Sequence, residues 1–218
     1  MLDSCRRFCR PAALLSGVLT ITAATGVAAS LPNVSSPQSY AQQLASARAA
    51  YFAGIDGDSA ANDRAQEAFS SLEREHPADP TVMAYSGSLE LLEAARTWAV
   101  WNKHKLATDG LAKLDHSVEL APENLEVRFI HGETTWHLPF FYHRKDQAER
   151  DFAYIAPRAE SAAHQGTLPA QLAAAALDRY GRILQERSDD PGARAAYQAA
   201  VRVAVNSPAG QDASRHLR

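Results

Sequence analysis

From Ser39 onward, apolar residues recur every three to four positions, and no segment shows the strict alternation of a half-buried strand. Tyr40, Leu44, Ala47 and Tyr51 share one helical face, and Gly54 ends that run, so the spacing predicts a first helix over 39–54. The turn IDGDS offers Asp58 or Ser59 as the next cap. A second helix then carries Ala65, Phe69 and Leu72 on one stripe and stops before Pro77. A long third helix over 80–101 opens on proline and aligns Val82, Tyr85, Leu89, Leu92 and Ala99. The fourth, over 105–120, has Leu106, Gly110, Leu111, Leu114 and Val118 as its stripe and Pro122 as its stop. A fifth over 125–137 is interrupted by Leu138-Pro139, because proline cannot donate to the helical ladder. The sixth, over 144–155, ends before Pro157, and three further helices over 158–165, 168–187 and 193–206 complete the pattern. Residues 207–218 read as a flexible tail.

Ahead of these helices the pattern changes. Arg6, Arg7 and Arg10 precede an apolar stretch from Ala12 to about Ala24, followed by small residues at Val27 and Ala29, the three parts of a cleavable export signal over 1–29. Ser16, Gly17, Thr20, Thr22, Thr25 and Gly26 make the stretch too weakly apolar for a good membrane span. A polar linker over 30–38 follows, and the helical domain is expected over 39–206. The expected location is the periplasm or the exterior.

The formal charge is −3, and removal of residues 1–29 would leave 19 Lys and Arg against 24 Asp and Glu, or −5. A polyphosphate partner needs a basic face, and no basic run exceeds Lys103-His104-Lys105, which argues against nucleic acid. Cys5 and Cys9 are the only cysteines and both lie in the leading segment, so an exported mature chain would carry no thiol.

The prolines Pro77, Pro122, Pro157 and Pro191 are separated by 45, 35 and 34 residues, and Gly87 and Gly132 each fall ten residues after a stop. Small residues belong where paired helices approach, and a proline belongs where a hairpin ends. Together with Ala65, Phe69, Leu72 and Gly110, Leu114, Ser117, these positions make the chain resemble the exported bacterial tetratricopeptide-repeat proteins. The resemblance spans roughly 39–206, with an insertion of about eleven residues in the first interval. It implies an all-α, short right-handed solenoid of antiparallel helical hairpins whose first helices line an inner groove. In that register the groove residues are Thr81, Ala84, Ser88, Leu91, Glu126, Phe129, Glu133, Trp136, His137 and His164.

Candidate chemistry is sparse. There is no Gly-rich phosphate loop, nucleophile elbow or zinc signature. His131, His137 and His143 are six apart and point to different sides of a helix, and only Glu133 and His137 have a ligand-like spacing of four. No catalytic residue, metal or cofactor is expected. The expectation is a non-catalytic periplasmic scaffold that holds a protein or peptide partner. A small-ligand-binding accessory of an envelope transporter is the alternative, suggested by the aromatic cluster around Trp136 to Tyr142. A histidine-dependent metalloenzyme is the third reading.

Overall fold

A computed structural model describes residues 38–218 of the chain, so the export-signal expectation and nearly all of the linker lie outside the described residues. The described residues are all-α, with no strand among them. The helices are α1 (Tyr40–Ile55), α2 (Ser59–Glu75), α3 (Pro80–Arg96), α4 (Val100–Leu120), α5 (Leu125–Trp136), α6 (Lys145–Gln165), α7 (Ala170–Glu186), α8 (Asp190–Ala204) and α9 (Pro208–His216), with a short 3₁₀ turn over Phe140–Tyr142.

Local chemistry sets most starts. Ser39 caps α1 in a reciprocal box with Gln42, and Asp58, Asp79, Asn124, Asp189 and Ser207 each accept from an amide of the turn they open. The connections after α2 and α4 are the same device used twice. Asp79 N donates to the His76 carbonyl at 3.1 Å, and Asn124 N donates to that of Ala121 at 3.0 Å. Asp79 and Asn124 then each accept two amides of the next helix.

Consecutive helices pack as four antiparallel pairs, α1/α2, α3/α4, α5/α6 and α7/α8, with α9 against α7 and α8. Each pair has a glycine of the first helix facing the second: Gly54 faces Asn62, Gly87 faces Gly110, Gly132 faces Asp151 and Phe152, and Gly181 faces the Tyr197 ring. The first helices run parallel. Asn124 Nδ2 donates to Thr81 Oγ1 at 3.4 Å, Thr134 Oγ1 to Ser88 Oγ at 2.8 Å, and the hydroxyls of Tyr51 and Ser88 share a bond at 2.7 Å. The turns inside the pairs therefore lie along one edge. Tyr51, Phe69 and Tyr85 fill the core at one end, Phe69 stacking on Tyr85 at 4.6 Å, while Phe129, Phe152 and Ile155 continue it.

Four boundaries differ from the sequence expectation. Helix α3 stops at Arg96 and α4 starts at Val100, so the single helix over 80–101 is in fact a helix and a three-residue reversal at Thr97–Ala99. Pro157 does not end a helix: α6 runs through it, because Ile155, Ala159 and Ala162 stay buried on one stripe across it. That continued packing offsets a cost of about 3 kcal/mol for an interior proline. The segment 158–165 is accordingly part of α6. The expected flexible tail over 207–218 is α9, capped by Ser207 and held down by buried Gly210 and Ala213.

Candidate functional site

A cavity of about 320 Å³ lies between α1, α5, α7 and the start of α9. One turn of α5 brings Phe129 and Glu133 to it, with Ile130 beside them. One side of α7 brings Gln171, Leu172, Ala175, Asp178 and Arg179, and the end of α1 adds Tyr51, Phe52, Ile55 and Asp56. Its floor is thus apolar and its rim charged. The Tyr51 hydroxyl is bonded to Ser88, and burial pushes the phenol up to about 12, so it stays protonated below the cavity.

The rim charges are held in place. Arg179 donates to both Glu133 oxygens, at 2.7 and 3.2 Å, and His137 Nε2 lies 3.1 Å from the same carboxylate. Burial alone would raise the Glu133 pKa, but the bonds from His137 and Arg179 outweigh it and hold the carboxyl at about 2. Asp178 gives one oxygen to Arg182, while its Oδ1 is buried and has no hydrogen-bond partner among the described residues. A buried carboxylate oxygen left unpartnered is costly, and here it belongs to a residue that lines the cavity. Ser207, also on the lining, already donates to the Ala204 carbonyl and accepts from Gly210 N, so it is a cap rather than a nucleophile.

The ten expected groove residues are only partly brought together. Phe129 and Glu133 line the cavity. Thr81, Ala84, Ser88 and Leu91 are buried, because α1 packs across α3 through Tyr51, and Leu91 reaches Gly110 of α4. Glu126 is buried as well, accepting from Arg48 at 2.6 and 2.5 Å and from the Tyr85 hydroxyl at 2.9 Å. Trp136 is half-buried between two cations, with Lys145 Nζ 4.7 Å and the Arg179 guanidinium 5.7 Å from its ring. His137 is exposed on the rim, and His164 is exposed at the far end of α6. Of the ten, only Phe129 and Glu133 lie on the cavity between α1, α5 and α7. Asp178 and Arg179 were missed, although two adjacent charges directly after the Ala- and Leu-rich run 172–177 were a visible signal.

Two other clusters hold titratable groups. On the opposite side, His131 of α5 is buried between two carboxylates, with Nδ1 2.5 Å from Asp151 and Nε2 3.1 Å from Asp115. Arg128 bonds Asp151 at 2.7 Å and Arg144 bonds Asp115 at 2.8 Å. Burial would lower the His131 pKa, but the bonds to Asp115 and Asp151 overcome it and raise it to about 9. The arrangement is two anions and three cations locked together, a structural knot joining α4, α5 and α6. At the C-terminal end, Asp178, Asp212 and His216 bring ligand atoms within 4.8 Å of one another, but Arg182 already bonds both carboxylates and Arg215 bonds Asp212 as well. A cation there would have to displace a guanidinium.

Comparison with family models, with curated proteins and with solved structures returns no match.

Proposed function

We propose that this protein is a non-catalytic interaction module of the bacterial envelope, a short tetratricopeptide-like solenoid that grips an anchoring side chain of a protein or peptide partner in its inner cavity. The observation that carries this reading is the cavity itself. It combines an apolar floor at Phe129, Ile130 and Leu172 with a rim on which three carboxylates, Asp56, Glu133 and Asp178, stand against one cation, Arg179. Such a site suits an aliphatic side chain that ends in an N–H donor, as lysine and arginine do. Support for the stack comes from the repeated pair glycines and the two matching proline-led connections. Support for export comes from the pattern over 1–29 in the sequence. The non-catalytic reading draws on the engagement of Glu133, Ser207 and Tyr51 with internal partners.

A second reading, capture of a small free amine, is favoured by the cavity volume, which lies at the low end of the range for small-molecule sites. One experiment separates the readings: selection from a displayed peptide library with the full chain, repeated with Ala175→Trp, which fills the cavity from its half-buried wall. Enrichment of basic peptides, weakened about tenfold or more by Ala175→Trp at unchanged melting temperature, is the expected result. Thermal stabilisation by small aliphatic amines without peptide enrichment would favour the second reading. Peptide binding indifferent to Ala175→Trp would overturn the assignment of the cavity.

A further inference from the structure

Seven large apolar side chains are exposed among the described residues, and five of them sit at the turns inside the helix pairs: Ile55, Trp98, Trp101, Phe140 and Phe141. Because α1, α3 and α5 run parallel, these turns share one edge. The concentration is strongest on the two central pairs, where Trp98 is 86% and Phe140 85% exposed. The α3/α4 turn also stands proud. Ser88 faces Thr134, after which α5 ends within two residues, whereas α3 continues for eight more to Arg96. At 1.5 Å per residue the Trp98 and Trp101 tip projects about 9 Å further than the end of α5.

Charge segregates in the same place. The segments 94–108 and 134–145 contain no Asp or Glu, yet hold Arg96, Lys103, Lys105, Arg144 and Lys145 together with His104, His137 and His143. Lys105 and Arg144 bond Asp109 and Asp115, while Arg96, Lys103 and Lys145 have no carboxylate partner among the described residues. Helix α4 opens here without a side-chain cap, which adds the positive end of its dipole. The outer turns differ: Asp56 and Asp58 follow Ile55, and Asp189 and Asp190 are the cap and first residue of α8. In a chain of net negative charge, the two central turns thus form an aromatic and cationic edge.

We propose that this edge docks on an anionic phospholipid bilayer, with Trp98, Trp101, Phe140 and Phe141 entering the headgroup region and Arg96, Lys103 and Lys145 meeting lipid phosphates. Tryptophan is the side chain that best combines an apolar body with a polar N–H at that depth, and cations beside it add attraction to anionic lipid. No helix among the described residues is long and apolar enough to cross a membrane, and the proposed contact is a peripheral one made by side chains at two turns. A second copy is a poor occupant, since pairing this edge with itself would oppose like charges without relief.

The test is co-sedimentation of the full chain with vesicles of phosphatidylglycerol and phosphatidylcholine in equal parts, compared with phosphatidylcholine alone, with tryptophan emission recorded in parallel. Binding to the mixed vesicles with a blue shift, weakened by added salt, is expected. Trp98→Ser with Trp101→Ser should reduce partitioning about tenfold or more at unchanged melting temperature, since both rings are exposed. Arg96→Glu with Lys103→Glu should remove the preference for the anionic lipid, a readout that survives if the tryptophan variant misfolds. Equal binding by wild type and both variants, or no binding to mixed vesicles, would overturn the proposal. A concentration-dependent dimer that buries the tryptophans in place of vesicle binding would also overturn it, in favour of a second copy.

Discussion

In the α3/α4 pair, an ideal Cβ on Gly87 would stand 2.7 Å from the Gly110 carbonyl oxygen, and one on Gly110 would be equally close to that of Gly87. In the α5/α6 pair, a Cβ on Gly132 would meet the Asp151 Cβ at 3.2 Å and the Phe152 ring at 3.4 Å. The first pair closes backbone on backbone, with nothing that can move aside. The second closes on side chains and is fastened instead by the His131, Asp151 and Asp115 knot. The same glycine mark in the sequence thus serves two kinds of closure, one steric and one electrostatic, and they should respond to different perturbations.

The largest effect is expected at the steric pair. Gly87→Leu forces two backbones apart and should cost roughly 4 kcal/mol or prevent folding, above the common overpacking range because the obstacle is main chain. Chemical denaturation measures it, and a cost under about 1 kcal/mol would show that α3 and α4 can separate freely. The electrostatic pair should answer to pH. His131 titrates near 6.5 when unfolded and at about 9 when folded, so its contribution is fully present below pH 6.5 and is lost as pH rises through 9. A shift of that size corresponds to roughly 3 kcal/mol. Melting temperature should fall across this window, and His131→Gln should flatten the fall while lowering stability at pH 6. The smallest effect is expected for Gly132→Ala. A gain of about 1 kcal/mol in helix propensity opposes a tight fit against movable side chains, leaving a net change within about 1 kcal/mol. A loss as large as that of Gly87→Leu would erase the distinction between the pairs.

The all-α class and most helix starts were legible because periodicity and capping are local: Asp79-Pro80 and Asn124-Leu125 announce themselves within a few residues. The Thr97–Ala99 reversal was not, since Ala99 is buried like the stripe before it and no proline or glycine marks the turn. Pro157 misled for the opposite reason, a strong local stop signal overridden by burial on both sides of it. Of the expected groove residues, Phe129 and Glu133 line the cavity together because they sit one turn apart on α5. The α3 residues failed because their exposure depends on α1, forty residues earlier in the chain, and helical spacing says nothing about which neighbour covers a face.

Arg48 and Glu126 are 78 residues apart, yet they form a two-bonded ion pair in which Glu126 is buried. The helix pairs need only contacts between adjacent segments and close over short loops, whereas the seat of α1 needs a partner made much later. As the chain grows from its N-terminus, α1 and α2 can associate at once, but α1 cannot take its final place until α5 has emerged and brought Glu126 to it. Until then Arg48 and the Tyr85 hydroxyl lack the carboxylate that both of them bond, so α1, made before the other described helices, is among the last to be secured.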